Sequence, residues 1–298
     1  MLVKEKLQNR EHFSDIDCRI ADYVLEQQEK LKDTSVRKMA KELYVAPSTI
    51  IRFCQKVGYE GFNGLREDYL KEVEYLSSNF RSLDPNFPFD KRDKDMTLAG
   101  KMEALYEEIL RDCRTLLEPE MLQKAVEMIN GVRQVFVCAA GAQMGLVEVF
   151  RDKMMKVGKM VHNSNRSEDG YYQSCYCSSD SGFILISYTG ETDKVLKIGR
   201  KVKERGIPAV AITSYGNNSL SGLCDVSLYV STREKLIKNL GTFGLNVSVM
   251  YLLDVLYAGY FNRDYEKHYK DKVKNSTDCE QPAGRPWGRH SDNPILRG

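Results

Sequence analysis

One tryptophan, Trp287, and four histidines are all that the 298 residues carry of those two types. The histidines, His12, His162, His268 and His290, are too scattered to suggest a metal cluster. None of the eight cysteines has zinc-ligand spacing, since Cys175 and Cys177 stand two apart with no second pair nearby. Reduced thiols in a cytoplasmic protein are therefore expected. No nucleophile triad and no phosphate-loop lysine motif occurs, and no cofactor is called for. No apolar run is both long and clean enough to cross a membrane. The best stretch, 245–261, is interrupted by Asp254 and Gly259 and reads as a buried helix. The opening MLVKEKLQNRE has no apolar core, so no secretory signal is expected. Neither sign of charge dominates. At a net charge of +2, affinity for nucleic acid has to come from a local patch.

A hydrophobic fraction of 42% with 29% charged residues describes a globular chain, and the length suits two domains. The organising stretch is TSVRKMAKELYVAPSTIIRFCQKVG, residues 34–58, which reads as helix, tight turn, helix. Val36, Met39, Ala40 and Leu43 form the apolar stripe of the first helix, and Ile50, Phe53, Cys54 and Val57 that of the second. Ser48, Thr49, Arg52, Gln55 and Lys56 fall toward the opposite side. Arg suits guanine edges, Gln suits adenine, and hydroxyls suit bases or phosphates. Between Thr34 and Arg66 six cations face only Glu42 and Glu60.

Two local rules are broken here. Arg37 and Lys38 sit in a first helical turn, where the positive end of the macrodipole costs each cation about 0.3–1 kcal/mol. A bound phosphate would reverse that sign. Ala46 stands at the N-cap of the second helix and gives up roughly 1 kcal/mol against Ser or Asp, while Pro47 helps the helix start. Pattern alone leaves DNA binding and an ordinary helical hairpin with a solvated basic face equally open.

The run KMAKELYVAPSTIIRFCQKVGYEGFNGLRE resembles the N-terminal helix-turn-helix domain of the RpiR/MurR family of bacterial transcription regulators. The likeness lies in Ala40-x-x-Leu43, the Pro47-Ser48-Thr49 entry, the Arg52-Phe53-Cys54 centre and the exit Gly58-Tyr59-Glu60-Gly61-Phe62. It implies a DNA-binding set of Arg37, Lys38, Ser48, Thr49, Arg52, Gln55 and Lys56. It also implies a C-terminal sugar isomerase (SIS) domain.

Around that stretch, Ser14 or Asp15 can cap a helix running to about Lys30, with Ile16, Ile20, Val24 and Leu25 inward. A further helix is read over 65–76, closing a DNA-binding domain at 1–78. Residues 79–95 hold Pro85, Pro88 and the charge run KRDKD, and read as a linker. Residues 96–130 return to helical spacing in two pieces broken near Pro119. Short apolar runs at 135–138, 159–163, 182–187, 208–213 and 226–230 then alternate with helical stretches. That texture predicts an α/β, flavodoxin-like domain over 96–274 with a five-stranded parallel sheet. Residues 234–260 read as a closing helix or helix pair. The stretch 275–298 is rich in Pro, Gly and polar residues and is expected to be disordered.

Ser187-Tyr188-Thr189-Gly190-Glu191-Thr192 follows a buried strand and opens a helix. Hydroxyls and amides at a helix start can cradle a phosphate, although Ser, Thr and Gly also serve there as structural caps. The segment is similar to the Ser-x-Ser/Thr-Gly-x-Thr signature of SIS domains, which implies that Ser187, Thr189, Gly190 and Thr192 hold a phosphosugar. Where the family carries Gly-x-Gly-x-Ser after the first strand, this chain has Ala139-Ala140-Gly141-Ala142-Gln143. Gly141 survives, and Gln143 replaces the serine with a bulkier amide. Glu234 lies near the glutamate of sugar-isomerising relatives, but no acid/base partner is evident.

The expectation is a DNA-binding regulator, not an enzyme. It would act as a homodimer or homotetramer on an operator in double-stranded DNA, away from any membrane, under control of a phosphorylated sugar. A sugar-phosphate isomerase with an appended helical domain, and a DNA-binding dimer whose SIS domain takes no ligand, are the alternatives.

Overall fold

The computed structural model describes residues 2–78, 83–139, 141–164 and 167–280. The N-terminal part is helical: α1 (Val3–Gln8), α2 (Asp15–Gln27), α3 (Val36–Leu43), α4 (Pro47–Lys56) and α5 (Phe62–Ser78), with a 3-10 turn at Gln28–Asp33. Ser14 starts α2 with a reciprocal capping box, its hydroxyl accepting from Asp17 N while the Asp17 carboxylate accepts from Ser14 N. The expected stripe of α2 is half right. Ile20 and Val24 are buried, but Ile16 is exposed. Helix α1 was absent from the sequence reading because VKEKLQ is short and half charged. It is held by Glu72 of α5, whose buried carboxylate accepts from Val3 N and from Lys4 N at 3.0 Å. One core joins these helices, with Ile20, Leu31, Met39, Ile50, Phe53 and Leu65 all fully buried.

The turn between α3 and α4 closes through Tyr44, which takes a left-handed φ of 58°. Val45 N then reaches Ala40 O at 3.0 Å, satisfying an end-of-helix carbonyl. A tyrosine pays for this conformation where glycine would not, by about 1–2 kcal/mol.

Two helices, α6 (Asp95–Thr115) and α7 (Pro119–Gly131), lead into the second domain. Its strands are β1 (Gln134–Ala139), β2 (Met160–Asn163), β3 (Ser181–Ser187), β4 (Ala209–Ser214) and β5 (Val226–Val230). They form an all-parallel sheet in the order β2-β1-β3-β4-β5, the doubly wound arrangement expected from the sequence. Between them lie α8 (Gln143–Lys156), α9 (Ser167–Tyr176) and α10 (Asp193–Glu204), and after them α11 (Phe243–Arg263) and α12 (Tyr265–Glu280).

The strands are apolar throughout because both faces are covered. Val135, Val137, Ile184 and Ile186 meet α7, α8 and α11, while Phe136, Cys138, Phe183 and Leu185 meet α10. Helix α11 has the length and composition of a membrane span. Its Leu245, Val249, Leu252, Leu253 and Leu256 are instead spent on the sheet.

Two expectations need correction. The closing helix begins at Phe243, not Glu234, because residues 231–242 form an irregular loop. Helix α12 continues through Glu280, so the expected disorder does not begin at Asn275. Residues 281–298, with Trp287, lie outside the described residues. Residues 83–94 have no helix or strand and are fastened to the second domain; residues 79–82 of the expected linker lie outside the described residues. Asn86 donates to Arg233 O and accepts from Lys235 N, and Phe89 packs edge-on against Phe243.

Candidate functional site

The helix-turn-helix presents its polar set as the 3.6-residue period requires. Ile50, Phe53 and Cys54 anchor α4 inward, leaving Ser48, Arg52 and Gln55 exposed along one face and Thr49 half-buried beside it. Ala46 is the N-cap without a side-chain bond, and Pro47 opens the helix. Arg37 and Lys38 are exposed in the first turn of α3, which holds no acid. Ser35 caps that turn by accepting from Lys38 N at 3.2 Å.

Lys56, expected on the DNA face, is turned to other use. Its ammonium lies 2.8 Å from Asp17 and over the Phe13 ring, bracing α4 against α2. Burial alone would raise the Asp17 pKa, but the hydrogen bonds from Lys56 and Ser14 bring it below the ordinary carboxylate value. Arg66 is likewise engaged, donating to Thr34 O at 3.0 Å. Sequence reasoning left one residue on this face unexplained: Ile51, 39% exposed, between Ser48 and Gln55.

The second candidate site is the turn from β3 into α10. Buried Ser187 ends the strand, and its hydroxyl meets that of Thr192 at 2.8 Å. Thr192 is the N-cap of α10 but spends its hydroxyl on Ser187, so no side chain caps the helix. The first-turn amides of α10 are thus left facing outward at the positive end of the macrodipole. Thr189 accepts from Glu191 N at 3.1 Å and shapes the turn. Gly190 has φ +69°, and a Cβ there would stand 2.0 Å from Asn218 Oδ1. Only glycine fits. Asn218 is itself fixed, accepting from Ser221 N and donating to Ser214 O. Ser219 N donates to Glu191 and Leu220 N to Gly190 O, so the turn and the loop after β4 form one hydrogen-bonded unit. Sequence reasoning missed that loop, although YGNNS carries the turn chemistry that marks it.

The remaining ligand candidates divide. Gly141 takes φ +70° in the turn after β1. Gln143 begins α8 and donates to Asn246 of α11 at 3.3 Å, an amide pair where the family pattern has a serine. Glu234 does not join the set. Its buried carboxylate accepts from Gly244 N at 2.7 Å and Leu245 N at 2.9 Å, capping α11. Burial pushes its pKa up, while those amides favour the ionised form. The neighbouring contact is made by its backbone, which accepts from Tyr188 OH at 2.5 Å. His162 is structural, stacked on Phe136 and bonded to Gln134. Among the described residues no group of three or more metal-ligating side chains occurs.

Residues 1–74 match the helix-turn-helix domain of the rpiR family, and residues 128–258 match the SIS domain. An uncharacterised HTH-type transcriptional regulator of Haemophilus influenzae is 24% identical over 243 residues, covering 80% of this chain and 83% of its own length. The structure of Vibrio vulnificus NanR complexed with ManNAc-6P aligns over 93% of this chain and 97% of its own, with TM-score 0.60 and 20% identity. The sugar isomerase domain of an RpiR transcription factor from Sphaerobacter thermophilus aligns over 60% of this chain and 98% of its own, with TM-score 0.53 and 18% identity. An rpiR-type reading head ahead of a SIS domain, in a chain whose relatives are named regulators, places this protein in the RpiR/MurR family of transcriptional regulators.

Proposed function

We propose that this regulator binds an operator in duplex DNA through α4 and α3, and that a phosphorylated sugar in the β3–α10 turn controls that binding. The observation that carries the reading is the Ser187–Thr192 hydroxyl pair, which leaves the start of α10 without a side-chain cap. A phosphate there would find outward amides, the Thr189 hydroxyl and a glycine that lets it come close. The SIS-fold neighbour bound to ManNAc-6P supports a hexosamine phosphate as the first ligand to try.

Turnover is not part of the proposal. Glu234, the acid/base candidate, is committed to the end of α11. A homodimer or homotetramer would present paired reading heads to a pseudo-palindromic site in the cytoplasm. Exposed Val149 on α8, Met250 on α11 and Tyr265 and Tyr269 on α12 suit pairing between SIS domains.

The test is a thermal-shift titration of the full chain against a panel of aldose, ketose and hexosamine phosphates, with inorganic phosphate and the free sugars as controls. A binder gains stability as RT ln(1 + [L]/Kd). Stabilisation by one sugar phosphate, lost in Ser187→Ala and Thr192→Val, is the expected result. A flat response across the panel would remove the effector from the reading. Consumption of any sugar phosphate in the same samples would replace it with the isomerase.

A further inference from the structure

Ile51 has no structural reason to be isoleucine. It stands on the outward face of α4, one turn after exposed Pro47 and Ser48 and one turn before exposed Gln55, with exposed Arg52 beside it. The core is filled from the other side by Ile50, Phe53 and Cys54, none more than 1% exposed. Helix propensity does not favour it either, because a β-branched residue is a poorer helix former than Lys, Gln or Glu. What isoleucine does supply is a stiff apolar knob, since its χ1 is nearly locked in a helix. Every group around it on that face except Pro47 is a hydrogen-bonding one suited to base edges or phosphates.

The floor of the major groove offers one apolar group to match, the 5-methyl of thymine. We propose that Ile51 is a specificity-determining residue that reads a thymine methyl in each half-site, beside the bases met by Arg52 and Gln55. The inference rests on α4 being the helix that enters the groove, and the experiment separates the two.

Duplexes are first selected from a random library with the full-length protein. The selected site is then synthesised with each thymine in turn replaced by uracil, which removes the methyl and leaves base pairing unchanged. Wild-type protein should bind about fourfold more weakly at one position per half-site, the factor expected for a buried group of methyl size. Ile51→Ala should bind thymine and uracil equally there, and Ile51→Val should keep most of the discrimination. If a site is selected and wild-type protein is indifferent to uracil at every position, the inference is wrong while the DNA-binding reading stands. It is equally wrong if Ile51→Ala retains full discrimination. If no duplex is selected, the groove-binding reading falls and takes this inference with it. Should Ile51→Ala fold poorly, Ile51→Gln, which suits a helix and removes the apolar knob, takes its place in the comparison.

Discussion

Asn217 donates its side-chain amide to the Asp68 carboxylate at 3.0 Å. The bond ties the loop after β4 to α5, and so the second domain to the DNA-binding one. Asn218, the next residue, is the one packed against Gly190 in the β3–α10 turn. One hydrogen bond and one packing contact therefore separate the proposed phosphate cradle from a helix of the reading head. A ligand acts at a distance only through different affinities for two arrangements, and this contact is one that two arrangements can make or break. In Asp68→Ala or Asn217→Ala, DNA affinity without ligand should change little. The factor by which sugar phosphate alters it should shrink about fivefold, the worth of roughly 1 kcal/mol for one exposed charge-assisted bond. The double variant should do no more than either single one. Fluorescence anisotropy with and without ligand measures all four proteins, and additive losses would place the coupling elsewhere.

Gly190→Ala should be costly. The new Cβ meets Asn218 at 2.0 Å, and the backbone there has φ +69°. Overpacking and left-handed strain together suggest roughly 3 kcal/mol of lost stability. Asn218→Ala in the same chain should recover part of the loss by removing the collision but not the strain. Urea denaturation of wild type and the two variants checks the order. A neutral Gly190→Ala would mean the turn is looser than described.

Glu72 sets a pH dependence whose direction can be worked out. Burial raises its pKa from 4.5 to about 7, against the backbone amides of Lys4 and Val3. Between those values the native state holds a proton that the unfolded chain has released. The contribution of this group should therefore be full at and below pH 4.5, fall as pH rises toward 7, and be gone above it. The change is at most about 3 kcal/mol. Glu72→Gln should flatten this part of the profile. Denaturation midpoints of wild type and Glu72→Gln taken from pH 5 to pH 8 decide it, and a difference between the two that stays constant through that window would contradict the burial of this carboxyl.

Glu234→Gln separates a cap from a base. The amide keeps one acceptor but turns an N–H group toward the start of α11, where two backbone donors already point. A loss of about 2 kcal/mol is expected, or a melting temperature lower by roughly 4–8 °C. Calorimetry reads this directly. An unchanged melting point with a lost sugar-phosphate conversion would make the residue catalytic after all.

What could be read from the sequence followed the range of the forces involved. The five strands stand where contiguous apolar runs had placed them, because burial on both faces leaves a local signature. The inward residues of α3 and α4 were legible for the same reason. Tyr44 was not, since nothing in its type announces a left-handed turn. Glu234 is a ligand candidate only by resemblance to sugar-isomerising relatives; its partners, the amides of Gly244 and Leu245, are ten and eleven residues away and carry no side-chain signal. The pairing of Lys56 with Asp17, 39 residues earlier, leaves no local trace either. The Asn217–Asp68 bond spans 149 positions, beyond any pattern in one chain. The helix through Asn275–Glu280 was missed because polar composition was allowed to outweigh continuity with the helical turns before it.

The burial of Cys54 beneath the reading face has a chemical corollary. Its thiol is pushed up to about 11, as is that of Cys113, and Cys224 to about 12. At neutral pH about one such group in ten thousand is ionised, and the thiolate is the form that peroxides and alkylating agents attack. Helix α4 therefore carries a sulfur atom held almost entirely as the less reactive thiol.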